Sequence, residues 1–282
     1  MAVAIVADST CDLSRSEAAG LGVDLVPIIV RFGDKEYHDG VDLLLTDFYI
    51  KLDPNGELPV TSPPPESDFE AAFKRHVDAG REVIAPIVSA KLSKTYERAL
   101  AAAAKFPGKV HVVDTKTLSA GVGLIVTGAA KLVREGRNAQ EILDTMNRWI
   151  ASQLGYATYP DLRFLAKSGR ISKAQMILGT MMHLYPIVRL DKTGGLEGET
   201  TVKSFELARE MIVDIMIRKL EHPERARITI VHAHDQALAD HVDTELRKKL
   251  KVVPRSLTIH EAGPSIASNG GPGLVAIFSL DE

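Results

Sequence analysis

Three short segments rich in hydroxyl groups recur along the chain: Asp8-Ser9-Thr10, Val60-Thr61-Ser62-Pro63 and Ser89-Ala90-Lys91-Leu92-Ser93-Lys94-Thr95. Each sits where a strand-like stretch gives way to a loop. Ligands of open parallel sheets bind beyond the carboxyl ends of strands, so these hydroxyls are placed to converge on one polar group. Taken singly, each segment reads more readily as a helix cap or a turn, because Ser, Thr and Asp are favoured there for that reason alone. A helix starting at Ser93 adds backbone N–H groups that favour an anion. Lys167-Ser168-Gly169-Arg170-Ile171-Ser172 offers a guanidinium beside a glycine, suited to a carboxylate or phosphate and equally to solvent. Met176, Ile177, Leu178, Met181 and Met182 follow, a soft set that suits an alkyl channel, although their spacing alone favours ordinary helix core. Ser268-Asn269-Gly270-Gly271-Pro272-Gly273 leads into a final strand, and its glycines and proline allow either close approach to a ligand or a plain turn.

Other chemistries find less support. His232 and His234 share one face of an extended segment, but no carboxylate set surrounds them, and a metal site needs three or four ligands in definite geometry. Asp8-Ser9-Thr10 lacks the second aspartate of haloacid dehalogenase phosphatases. Cys11 has no companion arginine at phosphatase spacing and reads as a quiet thiol. Gly121-Val122-Gly123 falls within a helical pattern and lacks the third glycine of a dinucleotide loop, and no G-x-S-x-G elbow is present. No catalytic residue, metal or cofactor is assigned. The rival from another class is a small-molecule hydrolase pairing Ser9, Ser89 or Ser93 with His232.

The elements that must position these groups follow from periodicity. Apolar, β-branched runs predict strands at Val3–Ala7, Val23–Phe32, Glu82–Val88 and Lys109–Asp114, separated by helical patterns. Phe69, Ala72, Phe73 and Val77 share one face of a helix from about Ser67 to Ala79, and Gly80 ends it. Further helices are predicted from Ser93 to before Pro107, through Thr117–Ala130, and over Ile142–Ile150. Strand character returns at Leu154–Tyr159, where the domain boundary is placed. Beyond it come Leu184–Leu190, a hairpin turn at Asp191–Gly195, a helix over Leu207–Leu220, strand Arg227–Val231, a helix over Leu238–Leu250, and strands Ser256–His260 and Leu274–Leu280. The fold class is therefore α/β: two α/β domains, 1–154 with a mainly parallel sheet and 155–282 with a mixed sheet and helices.

Composition narrows the functions further. With 282 residues, 45% apolar and 25% charged, the chain is an ordinary globular protein with room for a substantial core. Its 34 Lys+Arg against 37 Asp+Glu leave a net charge of −3, without the concentrated positive charge that a nucleic-acid backbone demands. A single cysteine precludes an intramolecular disulfide and suits a reducing cytoplasm. The first residues carry no basic region ahead of an apolar stretch, so they read as a strand and not as a signal peptide. Thr117–Ala130, the longest uncharged segment worth testing as a membrane span, is well short of the ~20 residues that span a bilayer.

Taken in order, these segments resemble the DegV family of bacterial fatty acid-binding proteins, which includes the lipid-binding subunit of fatty acid kinase. The likeness runs through Ile5-Val6-Ala7-Asp8-Ser9-Thr10, Val26-Pro27-Ile28, Thr61-Ser62, Ser89–Tyr96, Val113-Asp114, Ser168–Ser172, Pro186-Ile187 and Gly271-Pro272-Gly273. The resemblance implies two α/β domains around a long-chain fatty acid such as palmitate, buried in an apolar tunnel with its carboxylate where the domains meet. It also implies that Thr61 and Ser93 bind the carboxylate, that Arg170 lies beside the head group, and that Met176–Met182 belongs to the tunnel. In the kinase system a separate ATP-binding subunit phosphorylates the bound carboxylate, so the resemblance requires no nucleophile in this chain. Two departures stand out. Ser93-Lys94-Thr95-Tyr96 replaces the family's usual Ser-Gly-Thr-Tyr, adding a cation. Asn269 replaces the histidine before Gly-Pro-Gly; it can hydrogen-bond a carboxylate but cannot carry charge or shuttle a proton.

Overall fold

A computed structural model describes residues 2–52, 56–171 and 184–282. The Met176–Met182 run lies outside the described residues.

Four parallel strands form the first sheet, in the order β2-β1-β6-β7: β1 (Val3–Asp8), β2 (Val23–Val26), β6 (Glu82–Ile87) and β7 (Val110–Asp114). All six residues of β1 are buried, as a strand covered on both faces must be. The expected strand Val23–Phe32 is in fact two. Pro27 has no N–H to give a ladder, and the chain leaves the parallel sheet there. After the break, Ile28 N donates to Ser9 Oγ at 3.0 Å. The continuation, β3 (Ile29–Phe32), lies at the centre of a separate antiparallel sheet, between β4 (Lys35–His38) and β5 (Val60–Ser62).

Helices α1 (Arg15–Leu21), α2 (Leu45–Lys51), α3 (Glu66–Asp78) and α4 (Thr95–Ala103) accompany these strands. Two longer ones follow, α5 (Ala120–Arg134) and α6 (Ala139–Ser152), the latter opened by an Asn138–Glu141 capping box. The chain then enters a six-stranded mixed sheet, ordered β10-β9-β8-β13-β11-β12. Its strands are β8 (Leu154–Thr158), β9 (Tyr185–Leu190), β10 (Leu196–Val202), β11 (Ala226–His232), β12 (Ser256–Glu261) and β13 (Val275–Asp281). The expected turn at 191–195 joins β9 to β10 as an antiparallel hairpin. Pro186 is tolerated because it lies just past the β8 register, and its carbonyl accepts from Thr158 Oγ1 at 3.0 Å. Helices α7 (Leu162–Ser168), α8 (Phe205–Lys219), α9 (Gln236–Lys249) and α10 (Pro264–Gly270) complete the described elements. Among the described residues no helix is long and apolar enough to cross a membrane.

One apolar core joins the two larger sheets, drawing on Ile5 and Ala7 of β1, Val122 and Ile125 of α5, and Ala276 and Phe278 of β13. Helix α5 sits between these sheets, and the Gly121-Val122-Gly123 segment serves that contact. A Cβ on Gly123 falls 2.6 Å from the Cys11 carbonyl oxygen, a backbone atom that cannot swing aside. Gly20, also helical, has nothing within 4 Å of its would-be Cβ. Gly123→Ala is therefore expected to lower stability by about 1–3 kcal/mol through overpacking, whereas Gly20→Ala is expected to raise it by up to ~1 kcal/mol. Urea denaturation of both variants checks the contrast.

Candidate functional site

Beyond the carboxyl ends of β1 and β6, and against one face of the mixed sheet, lies a cavity of about 290 Å³. Its far wall is apolar, built from Gly155 and Ala157 of β8, Val188 and Leu190 of β9, Leu196 of β10 and Phe278 of β13. Polar groups gather at the end nearest the parallel strands. There the wall includes Thr61, Ser93, Arg170 and Asn269, the four residues singled out from the sequence. Lys94 adds a cation beside Ser93.

Local structure explains how these four are held. Thr61 lies mid-strand in β5, paired with Val30. Arg170 follows the left-handed Gly169 that ends α7. Asn269 belongs to the last turn of the short helix α10 and not to the glycine-rich turn after it. Its amide links the set: Oδ1 accepts from Arg170 Nη1, while Nδ2 donates to Thr61 Oγ1 at 3.3 Å and to the Ser265 carbonyl at 2.7 Å. With its Oγ1 accepting from Asn269, Thr61 keeps its own O–H for another acceptor. Arg170 Nε donates to Leu92 O at 3.1 Å and Nη1 also reaches Ser168 O at 3.4 Å, so Nη2 is left without a partner among the described residues. Burial lowers the pKa of this guanidinium, which nevertheless remains charged at neutral pH. Ser93 precedes α4, which begins at Thr95, later than expected. Its Oγ accepts from Thr95 N at 3.2 Å and lies 2.7 Å from Thr95 Oγ1. Thr61, Arg170 and Asn269 thus form one hydrogen-bonded chain, with Ser93 on the same cavity wall.

Behind this polar end lie three buried carboxyls that sequence reasoning did not assemble. Asp8 accepts from Thr10 N (2.9 Å), Thr10 Oγ1 (2.5 Å) and Val88 N (2.9 Å). Asp12 accepts from Ser119 Oγ and from Gly263 N (2.8 Å). Asp39 accepts from Ser9 Oγ (2.8 Å) and Ser265 N (3.3 Å). Thr10, Ser119 and Ser265 also border the cavity. Only the Asp8-Ser9-Thr10 run offered a signal; Asp12, Asp39, Ser119 and Ser265 come together from distant points of the chain.

The rejected chemistries can be placed as well. Ser9 is occupied between Asp39 and Ile28 N, and Ser89 Oγ donates to Gly194 O. His232 is buried in β11 and accepts from Asp235 N at 3.3 Å, away from the cavity wall. Among the described residues no serine hydroxyl is bonded to a histidine ring, and no three His, Cys, Asp or Glu side chains are grouped to hold a metal.

Burial pushes the Asp12 carboxyl up to about 8 and Asp39 up to about 6, with their hydrogen bonds opposing and neighbouring aspartates adding to the rise. Asp8 is raised for the same first reason. A carboxyl with a raised folded pKa keeps a proton that the unfolded chain has lost, so its contribution is fully present below the ordinary value of 3.8 and is lost as pH rises through the folded value. Stability is expected to fall between about pH 4 and pH 8, with Asp39 contributing to the lower part and Asp12 to the whole range. Asp12→Asn should flatten the fall above about pH 6, read from urea midpoints across that series.

Comparison with known proteins adds independent findings. The model of the DegV family of uncharacterised proteins matches residues 2–282. A DegV domain-containing protein of Deinococcus radiodurans is 31% identical over 281 residues, covering 98% of each chain. A DegV family protein from Thermus thermophilus, solved in connection with fatty acid binding, superimposes with a TM-score of 0.92 at 30% identity over the full length of both chains. A stearic acid-binding protein from Eubacterium ventriosum shares the fold at a TM-score of 0.89 and 21% identity, covering 98% of this chain and 97% of its own.

Proposed function

The chain belongs to the DegV family, and on that premise we propose that it binds a long-chain fatty acid in the cavity, with the carboxylate at the polar end. The hydrogen-bonded chain Thr61–Asn269–Arg170 on the wall of a mainly apolar cavity is the observation that carries this reading. Thr61 O–H and Arg170 Nη2 are the donors offered to a carboxylate, with Ser93 beside them. Burial of methylenes supplies most of the affinity, at about 0.8 kcal/mol per CH₂, and the polar groups fix orientation. In this reading residues 1–154 supply Thr61 and Ser93, and 155–282 supply Arg170, Asn269 and most of the tunnel wall. The protein acts as a cytoplasmic carrier without catalysis of its own, presenting the lipid to a separate ATP-binding kinase subunit.

Protein purified without added lipid is expected to yield a long-chain fatty acid to mass spectrometry of its organic extract. An empty extract, together with no calorimetric binding of palmitate or oleate, removes the reading. Thr61→Val and Ser93→Ala should each weaken fatty acid binding by roughly 1.5–3 kcal/mol, about ten- to a hundredfold in Kd, and should affect a fatty alcohol less. Equal affinity of both variants for the acid leaves the two hydroxyls as structural groups only.

Asn269 bears on presentation. It binds Arg170 and Thr61 as a neutral spacer, so lipid affinity is expected to be high while acyl phosphate formation with a bacterial fatty acid kinase subunit is slow. Asn269→His should raise that transfer at matched lipid occupancy with little change in Kd. Transfer by the unmodified protein at the rate of a histidine-bearing relative overturns this assignment.

A further inference from the structure

The β9–β10 hairpin lies at one edge of the mixed sheet, yet its tip reaches across to the loops that follow the parallel strands. Ser89 Oγ donates to the Gly194 carbonyl at 2.7 Å in a buried contact. Gly194 has φ +90°, and a Cβ there falls 2.3 Å from Ser89 Oγ and 2.8 Å from Lys116 Cα. The backbone of the tip is therefore seated directly on the first half of the chain.

Ser89 is also the pivot of the loop that carries Ser93. Its carbonyl accepts from Leu92 N at 3.0 Å and Ser93 N at 3.1 Å, and its own N–H donates to Thr117 O at 2.8 Å. Its Oγ accepts from Lys91 N at 3.2 Å while donating to Gly194. One residue thus joins the carboxyl-binding loop to the opposite wall of the cavity.

The base of the hairpin is held, with β9 paired to β8 over Ile187–Arg189, while its outer edge and tip are free of the sheet. Among the described residues strand β10 pairs only with β9; it carries a bulge between Gly198 and Thr200 and exposes Gly198–Thr201. Arg189 bonds Glu197 and Glu199 across the two strands, the latter at 2.9 Å, so the hairpin holds together as a unit. Val188, Leu190 and Leu196 of this unit wall the cavity. Lifting the tip exposes that wall to solvent.

We infer that the β9–β10 hairpin is a strap over the acyl cavity and that Ser89 is the positioning residue that fastens it. The inference rests on the lipid-binding reading of the cavity. A fastened strap slows entry and escape alike, because both require the hairpin to lift while the contacts of the seated chain stay the same. Its signature is kinetic: faster exchange at nearly constant affinity.

Ser89→Ala removes the fastening from one side and Gly194→Ala displaces the tip from the other. For both, stopped-flow binding and displacement of a fluorescent long-chain fatty acid should show kon and koff rising together, by roughly five- to twentyfold, with Kd changed less than about threefold. Amide hydrogen exchange over residues 185–202 should accelerate in both variants. A rise in koff with kon unchanged makes Ser89 an affinity group and overturns the strap. So does faster hydrogen exchange without faster lipid exchange, or no change in either. If the unmodified protein binds no fatty acid, the lipid reading fails, and hydrogen exchange alone decides whether Ser89 fastens the hairpin.

Discussion

Helix α5 serves two sheets at once, and the close seating of its first turns is the contact on which the remaining geometry depends. Gly123 brings the helix axis down onto the Cys11 carbonyl on one side, while Val122 and Ile125 join the core shared with β13. The entry to this helix is strained. Ser119 at φ 56° and Asp12 at φ 55° both occupy a region that side chains disfavour, and they are hydrogen-bonded to each other. Strain of that kind costs of order 1–3 kcal/mol per residue and persists only where surrounding structure over-determines it. Here the burial of both residues and the docking of Gly263 N on Asp12 do so. Ser119 then borders the cavity, so the position of the site follows from how the two sheets share a helix.

The electrostatic arrangement has a direction. Asp8, Asp12 and Asp39 sit behind the hydroxyls of Thr10, Ser119 and Ser9, fixed by backbone N–H groups and, among the described residues, without a cation bonded to any of them. Arg170 and Lys94 stand on the cavity wall itself. Burial raises the pKa of all three aspartates, and Asp12, pushed up to about 8, keeps its proton at neutral pH, which lessens the negative charge gathered behind the hydroxyls. The aspartates hold loops together from behind while the cations line the cavity.

Much of this was legible in the chain. Period-two and period-3.6 patterns located most strands and helices, since burial on one or both faces leaves a direct trace in residue order. The break at Pro27 was visible as a residue type, but its consequence, a third sheet carrying Thr61, depends on long-range pairing that no local pattern records. Thr61, Ser93, Arg170 and Asn269 could be singled out because order and residue type survive in short motifs, and the fold brings the four to one cavity wall. Asp39 with Ser265 and Asp12 with Ser119 were not, because each pair is more than a hundred residues apart and each member alone looks like a turn residue. Helix α4 began two residues later than its hydroxyl run suggested, since Ser93 turns back to Thr95 N before the first helical turn.

Asn269 shows why a binding site and a reactive site place different demands on one position. Its amide makes three bonds at once, accepting from Arg170 and donating to Thr61 and to the Ser265 carbonyl, which uses both N–H groups and the carbonyl oxygen. An imidazole has two ring nitrogens and cannot reproduce all three, but it can carry a positive charge, which an amide cannot. Asparagine therefore favours a rigid, neutral frame in which the Thr61 hydroxyl is aimed outward and Arg170 is steadied by a fixed acceptor. Among the described residues the cavity wall carries its positive charge on Arg170 and Lys94. At this position an amide gives the wall a fixed three-way hydrogen-bond junction, and an imidazole would trade part of that junction for a titratable charge.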